Sequence, residues 1–241
     1  MLVSRNVAGS LFVGGALSVT LGSLLYPAML GVQKVNAAPA RVIATPATGP
    51  LTQADRDFVV QVRSAGLWEY PVGQRAAKKG TTKSVRSAGE QLVDGDASLD
   101  AACRKVAEQL DIALPNRPST QQQGFETRLS AESGKEFNVD LATTVRASSG
   151  QFLNTVASVR TTTRNSLVRA LADQVNDIVL DHIKAVEKTG LVDFDQALAQ
   201  ETASPGPPAA DLTPPPASAG EPQVVLTPPA NSTTSPTPTA G

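Results

Sequence analysis

"SLVRALADQVNDIVLDHIKAVEKTG", residues 166–190, decides how the chain is to be read. Leu167, Leu171, Val175, Ile178, Ala185 and Val186 recur at three- and four-residue steps, which is one face of an α-helix. Gly190 ends the run. His182, the only histidine in 241 residues, stands on that face between Ile178 and Ala185. A lone histidine on an apolar stripe is either a core residue with a hydrogen-bond partner or a ligand. What the other helices bring to it decides between the two.

Three more stretches carry the same period. The first begins at "LTQADRDFVVQ", residues 51–61, where Thr52 is an N-cap and Asp55, three residues on, comes close to a capping box. Its stripe is Phe58, Val62, Ala65, Val72 and Ala76, and Gly80 ends it. Pro71 falls inside it and removes one backbone donor, so a kink is expected. The second stripe is Val85, Ala88, Leu92, Leu99, Cys103, Val106 and Leu110, stopping before "LPNRP", residues 114–118. The third is Phe137, Leu141, Val145, Phe152, Val156 and Val159. A shorter helix fits residues 120–133, between the second and third.

No alternating strand pattern occurs in residues 51–200. Four amphipathic helices cannot bury their stripes singly. The expected fold is therefore all-α, an antiparallel four-helix bundle over residues 51–200.

Each stripe is interrupted by a polar residue. Glu69 interrupts the first, Asp96 the second, Ser148 and Ser149 the third, and His182 the fourth. A buried carboxylate is costly unless paired, so Glu69, Asp96 and His182 are natural partners. Helix bundles build metal sites from such inward side chains. A dinuclear carboxylate site wants Glu-x-x-His on two helices, and the sequence has none. The levels of Glu69 and His182 along oppositely running helices differ by up to ~10 Å, depending on stagger, at ~1.5 Å rise per residue. Two readings follow: a structural polar layer without a cofactor, or a site for a divalent transition metal.

Residues 1–37 are apolar and nearly uncharged. The run at residues 6–33 holds no charge, Arg5 precedes it, and Val35 and Ala37 suit a signal-peptidase site. The segment reads as a cleaved signal peptide or as a retained membrane anchor through residues 7–32. Either places the domain outside the cytoplasm. Residues 38–50 read as a linker. Residues 201–241, rich in Pro, Ala and Thr, read as a disordered tail favouring polyproline II, in which "LTPPPA" (212–217) returns as "LTPPA" (226–230). "NST" at 231–233 matches a glycosylation acceptor.

Several functions are excluded. Net charge is −1 with no basic run, so nucleic acid is not a partner. Cys103 is the only cysteine, which rules out an intramolecular disulfide and a lipid-attachment cysteine after the leader. No phosphate loop, dinucleotide fingerprint, nucleophile elbow or zinc Cys/His spacing is present.

"LTQADRDFVVQVRSAGLWEYPVGQRA", "LPNRPSTQQQGF", "GKEFNVDLATTVRAS" and "TRNSLVRALADQVNDIVLDHI…EKTGLVDFD" together resemble a bacterial exported ferritin-like family of unknown function, over about residues 51–197. Its members are labelled predicted outer-membrane or secreted proteins. The resemblance implies a ferritin-like bundle behind a signal or anchor segment. It also implies inward histidines on the second, third and fourth helices, at positions occupied here by Asp96, Ser149 and His182. Only the last is a histidine in this chain.

The reading is a non-enzymatic, extracytoplasmic helical-bundle protein of the cell envelope. The alternative is a metal-binding ferritin-like protein using Glu69, Asp96 and His182. A third reading makes the Pro-rich tail a ligand for an envelope partner with an aromatic-lined groove.

Overall fold

The computed structural model describes residues 41–203 and 213–228. Its elements are β1 (Val42–Ala44), β2 (Leu51–Thr52), α1 (Gln53–Lys79), α2 (Lys83–Leu110), α3 (Thr120–Ala131), α4 (Gly134–Thr162), α5 (Ser166–Glu187) and α6 (Phe194–Glu201). The described chain is mostly helical, as the periodicity requires. Among the described residues no helix is long and apolar enough to cross a membrane. The leader, its membrane association through residues 7–32 and the acceptor at 231–233 lie outside the described residues.

The helices start where the sequence supplies caps. Thr52 accepts from the Asp55 amide at 3.1 Å while Asp55 accepts from the Thr52 amide at 2.8 Å, a complete capping box. Ser119 and Gln122 repeat the device at α3. Asn165 caps α5 through the amides of Leu167 and Val168. α1 runs through Pro71 to Lys79. Gly80 follows with φ −55°, so no left-handed turn requires it. A Cβ there would lie 2.6 Å from the Ala76 carbonyl oxygen and 2.7 Å from Val85 Cγ1, so glycine is set by the close approach of α1's last turn and α2's first.

α1 and α5 each pack against both α2 and α4. The core falls into two apolar halves. One gathers Phe58 and Val62 of α1, Leu99 to Leu110 of α2, Val156 and Val159 of α4, and Val168 to Val179 of α5. The other gathers Trp68 to Ala76, Val85 and Leu92, Phe137 to Val145, and Val186. The start of α1 meets the end of α2, and the end of α4 meets the start of α5, so each of these pairs is antiparallel, while α2 and α4, joined by the connection that carries α3, run in the same direction. The polar interruptions of the stripes fall at the seam between the two halves. Cys103 is a core residue, its thiol pushed up to about 12 by burial.

Two expectations need correction, and one short helix was not foreseen. Of residues 38–50, those that are described, 41–50, are not a plain linker, because β1 pairs antiparallel with β2. The turn between them also holds the start of α5: Asn165 Nδ2 donates to Thr48 Oγ1 at 3.1 Å and to the Gly49 carbonyl at 3.0 Å. Strands of three and two residues are too short to leave an alternating pattern. The chain continues past Gly190 into α6, which is tied back to α4 by the ion pair of Arg146 with Glu201 at 2.9 Å. Finally, residues 213–228 of the tail dock on α1 and α2. Leu226 is buried among Leu67, Ala97 and Tyr70, and the Ala217 amide donates to the Leu114 carbonyl at 3.0 Å. An extended segment held by main-chain bonds and one leucine has no periodicity, so composition alone reads it as unstructured.

Candidate metal centre

Glu69, Asp96 and His182 are buried at the seam, with relative exposures of 6, 2 and 2 %. Each is there because its helix has one polar residue on an otherwise apolar stripe. One ligand atom from each lies within 4.8 Å of the other two. The pair that joins α1 to α5 does so across the core, with His182 Nδ1 3.2 Å from Glu69 Oε2. The stagger of the helices thus removes the level difference that the sequence left open.

The cluster is polar but incompletely satisfied. Asp96 Oδ2 and His182 Nε2 are buried and have no hydrogen-bond partner. Such atoms in a low-dielectric interior cost free energy unless something else meets them. Burial, and secondarily the neighbouring Glu69 carboxylate, holds the Asp96 carboxyl well above the usual carboxylate range. Without a cation the site therefore favours a proton on Asp96. Two carboxylates and one imidazole also form a mixed oxygen and nitrogen donor set of the kind that divalent transition ions take. The orphaned donor atoms and the raised carboxyl both fit such an ion.

Two glycines shape the space. A Cβ on Gly95 would overlap His182 Nε2 and lie 2.9 Å from Ile178 Cγ2, so only glycine lets α2 approach the imidazole edge. Gly66 faces Asp96 from α1. Ser148 stays outside the cluster, its hydroxyl donating to the Val145 carbonyl of its own helix at 3.1 Å. Ser149 is buried on the same helix.

Glu69 also reaches the wall of a cavity of about 280 Å³ between α1, α3 and α4. Trp68, Phe125 and Phe152 supply its apolar surface, and Ser64 and Gln122 its polar surface. The Ser64 hydroxyl donates to Gln122 Oε1 and accepts from the Ser119 amide at 3.1 Å, which fixes α3 over α1. Of the three cluster residues, Glu69 alone lines this cavity.

Sequence reading placed all three cluster residues but missed Gly95, the cavity and a second buried polar group. In that group Arg63 pairs with Asp100, at side-chain exposures of 0 and 1 %. Burial lowers the Arg63 guanidinium to about 10. The available signal was a charged residue inside the apolar run "FVVQVRSAG".

A family model described as "Domain of unknown function (DUF4142)" matches residues 40–189, a span that contains all three cluster residues. No curated protein and no solved structure matches the chain.

Proposed function

The chain belongs to the DUF4142 family, and from that premise we propose that it is a metal-binding protein whose four long helices form a ferritin-like four-helix bundle around one divalent transition-metal ion. Glu69, Asp96 and His182 hold the ion. The observation that carries this reading is the gathering of their ligand atoms within 4.8 Å at a buried seam, with Asp96 Oδ2 and His182 Nε2 left unpartnered. Two carboxylates offset the charge of a divalent ion while the neutral imidazole completes the donor set. When bound, the ion supplies a Lewis-acid or redox centre beside the cavity that Glu69 lines.

The chain's own residues set the terms of binding. Asp96 exchanges its proton for the ion, so affinity falls as pH is lowered. Glu69 orients the imidazole through Nδ1. Gly95 keeps the imidazole edge clear. One histidine and two carboxylates suit a single ion and fall short of the paired Glu-x-x-His of a dinuclear centre.

The same proposal places the domain outside the cytoplasm in the cell envelope. The support is the uncharged run at residues 6–33, with small residues at Val35 and Ala37 in front of the domain.

Dialysis of untagged protein against a divalent transition metal, followed by elemental analysis, tests the metal reading. One ion per chain is expected, with loss on Asp96→Asn or His182→Ala. Metal absent from the wild type, or unchanged in both variants, would contradict it.

A further inference from the structure

The tail segment at residues 222–228 meets a site that reads its main chain almost residue by residue. Asn116 Nδ2 donates to the Pro222 carbonyl at 2.9 Å, and Asn116 Oδ1 accepts from the Val224 amide at 3.0 Å. Arg63 Nη2 donates to the Val224 carbonyl at 2.5 Å. Asp100 Oδ2 accepts from the Leu226 amide at 3.1 Å, and the Tyr70 hydroxyl donates to the Thr227 carbonyl at 2.6 Å. One side chain is read as well. Leu226 is buried against Leu67 and Ala97, with its Cδ1 so near Gly66 that a Cβ there would lie at 3.3 Å. Val224 and Val225 point outward, 42 and 50 % exposed.

The readers of the segment are preorganised. Arg63 and Asp100 are buried and paired with each other, Arg63 Nε donates to the Pro115 carbonyl at 3.2 Å, and Arg104 holds Asp100 at 2.9 Å. A charged pair kept in the interior and aimed at the backbone of another segment is the arrangement of a peptide site. Prolines at 222 and 228 bias the segment toward the extended form before it docks, which lowers the ordering cost. Recognition through main-chain atoms and one leucine does not require a unique sequence. "LTPPPA" at 212–217 repeats the leucine and proline spacing of "LTPPA" at 226–230.

We propose that the face formed by Arg63, Tyr70, Asp100 and Asn116 is a binding site for extended, proline-flanked peptides with a single leucine anchor. Residues 222–228 are its resident ligand in cis. They hold the site by effective concentration, which for a short tether is in the millimolar range. A free peptide of the same chemistry therefore binds well only when the resident segment is disabled. This inference is independent of the metal reading.

The test uses the full chain with Leu226→Arg, which places a charge in the leucine pocket, and a fluorescein-labelled peptide with the sequence of residues 221–229. Anisotropy is expected to show binding about tenfold or more tighter than to the wild type, as cis competition predicts. A control peptide with arginine in place of the leucine is expected not to bind. A helical, cooperatively melting variant that binds no better than the wild type would overturn the proposal. Should the variant not fold, amide hydrogen exchange on the wild type decides. Millimolar peptide is expected to speed exchange at the Leu226 amide, and an unchanged rate would overturn the proposal. A wild-type dimer that the substitution converts to a monomer would place the segment in a second copy and overturn occupancy in cis.

Discussion

At the scale of single residues, Asp96 sets the behaviour of the seam. Burial, and then Glu69, raise its pKa above the ordinary ~3.9 of the unfolded chain. Between those two values the folded protein holds a proton that the unfolded chain has released. The stability of the metal-free protein therefore falls as pH rises through that window. Asp96→Asn is neutral at every pH and escapes the loss. Urea denaturation of metal-free protein is expected to show the variant ahead at pH 7, with the gap closing toward pH 4. A variant less stable than the wild type at pH 7 would mean that Asp96 works as a charged partner. Glu69, Asp96 and His182 were legible in the sequence because each breaks a 3.6-residue stripe. Their meeting was not, because it depends on the stagger of helices, which no local pattern encodes.

At the scale of elements, α2 and α3 offer a controlled comparison. Gly95 and Gly124 both lie inside helices. Alanine exceeds glycine in helix propensity by about 0.8–1 kcal/mol in either. At Gly124 a Cβ meets nothing within 4 Å, so Gly124→Ala is expected to stabilise by up to about that amount. At Gly95 the Cβ overlaps His182 Nε2, and overpacking of this kind costs about 1–3 kcal/mol. Gly95→Ala is therefore expected to destabilise, or at best to break even, as read from chemical denaturation midpoints. Equal stabilisation by both substitutions would show that α2 does not approach the imidazole closely. The long helices and the α1 capping box were readable because period and caps are local signals. β1 and β2 were not, being too short for alternation to register. α6 follows the glycine that ends the α5 run, and its eight residues bury only Ala197, too little of a stripe to announce a helix.

At the scale of the whole molecule, the chain combines an apolar core split by a polar seam with a tail that returns to cover the α1–α2 face. Composition marked residues 201–241 as unable to fold alone, which is a sound inference about an isolated segment. It missed the docking because the buried pair of Arg63 and Asp100 supplies the partners, and that pair exists only once α1 and α2 have packed. Leu226→Ala is accordingly expected to cost about 2 kcal/mol, the low end for truncating a buried leucine. Thermal and urea unfolding check this, and a change within error would mean that the strap adds nothing to stability. The central claim is that Glu69, Asp96 and His182 hold one ion. Anomalous diffraction from crystals grown with zinc and collected at its absorption edge tests it most directly. The account predicts a single strong peak at the seam, about 2.0–2.2 Å from a carboxylate oxygen of Glu69 and of Asp96 and from a ring nitrogen of His182. A zinc peak only at the surface, with no density between the three side chains, would contradict it.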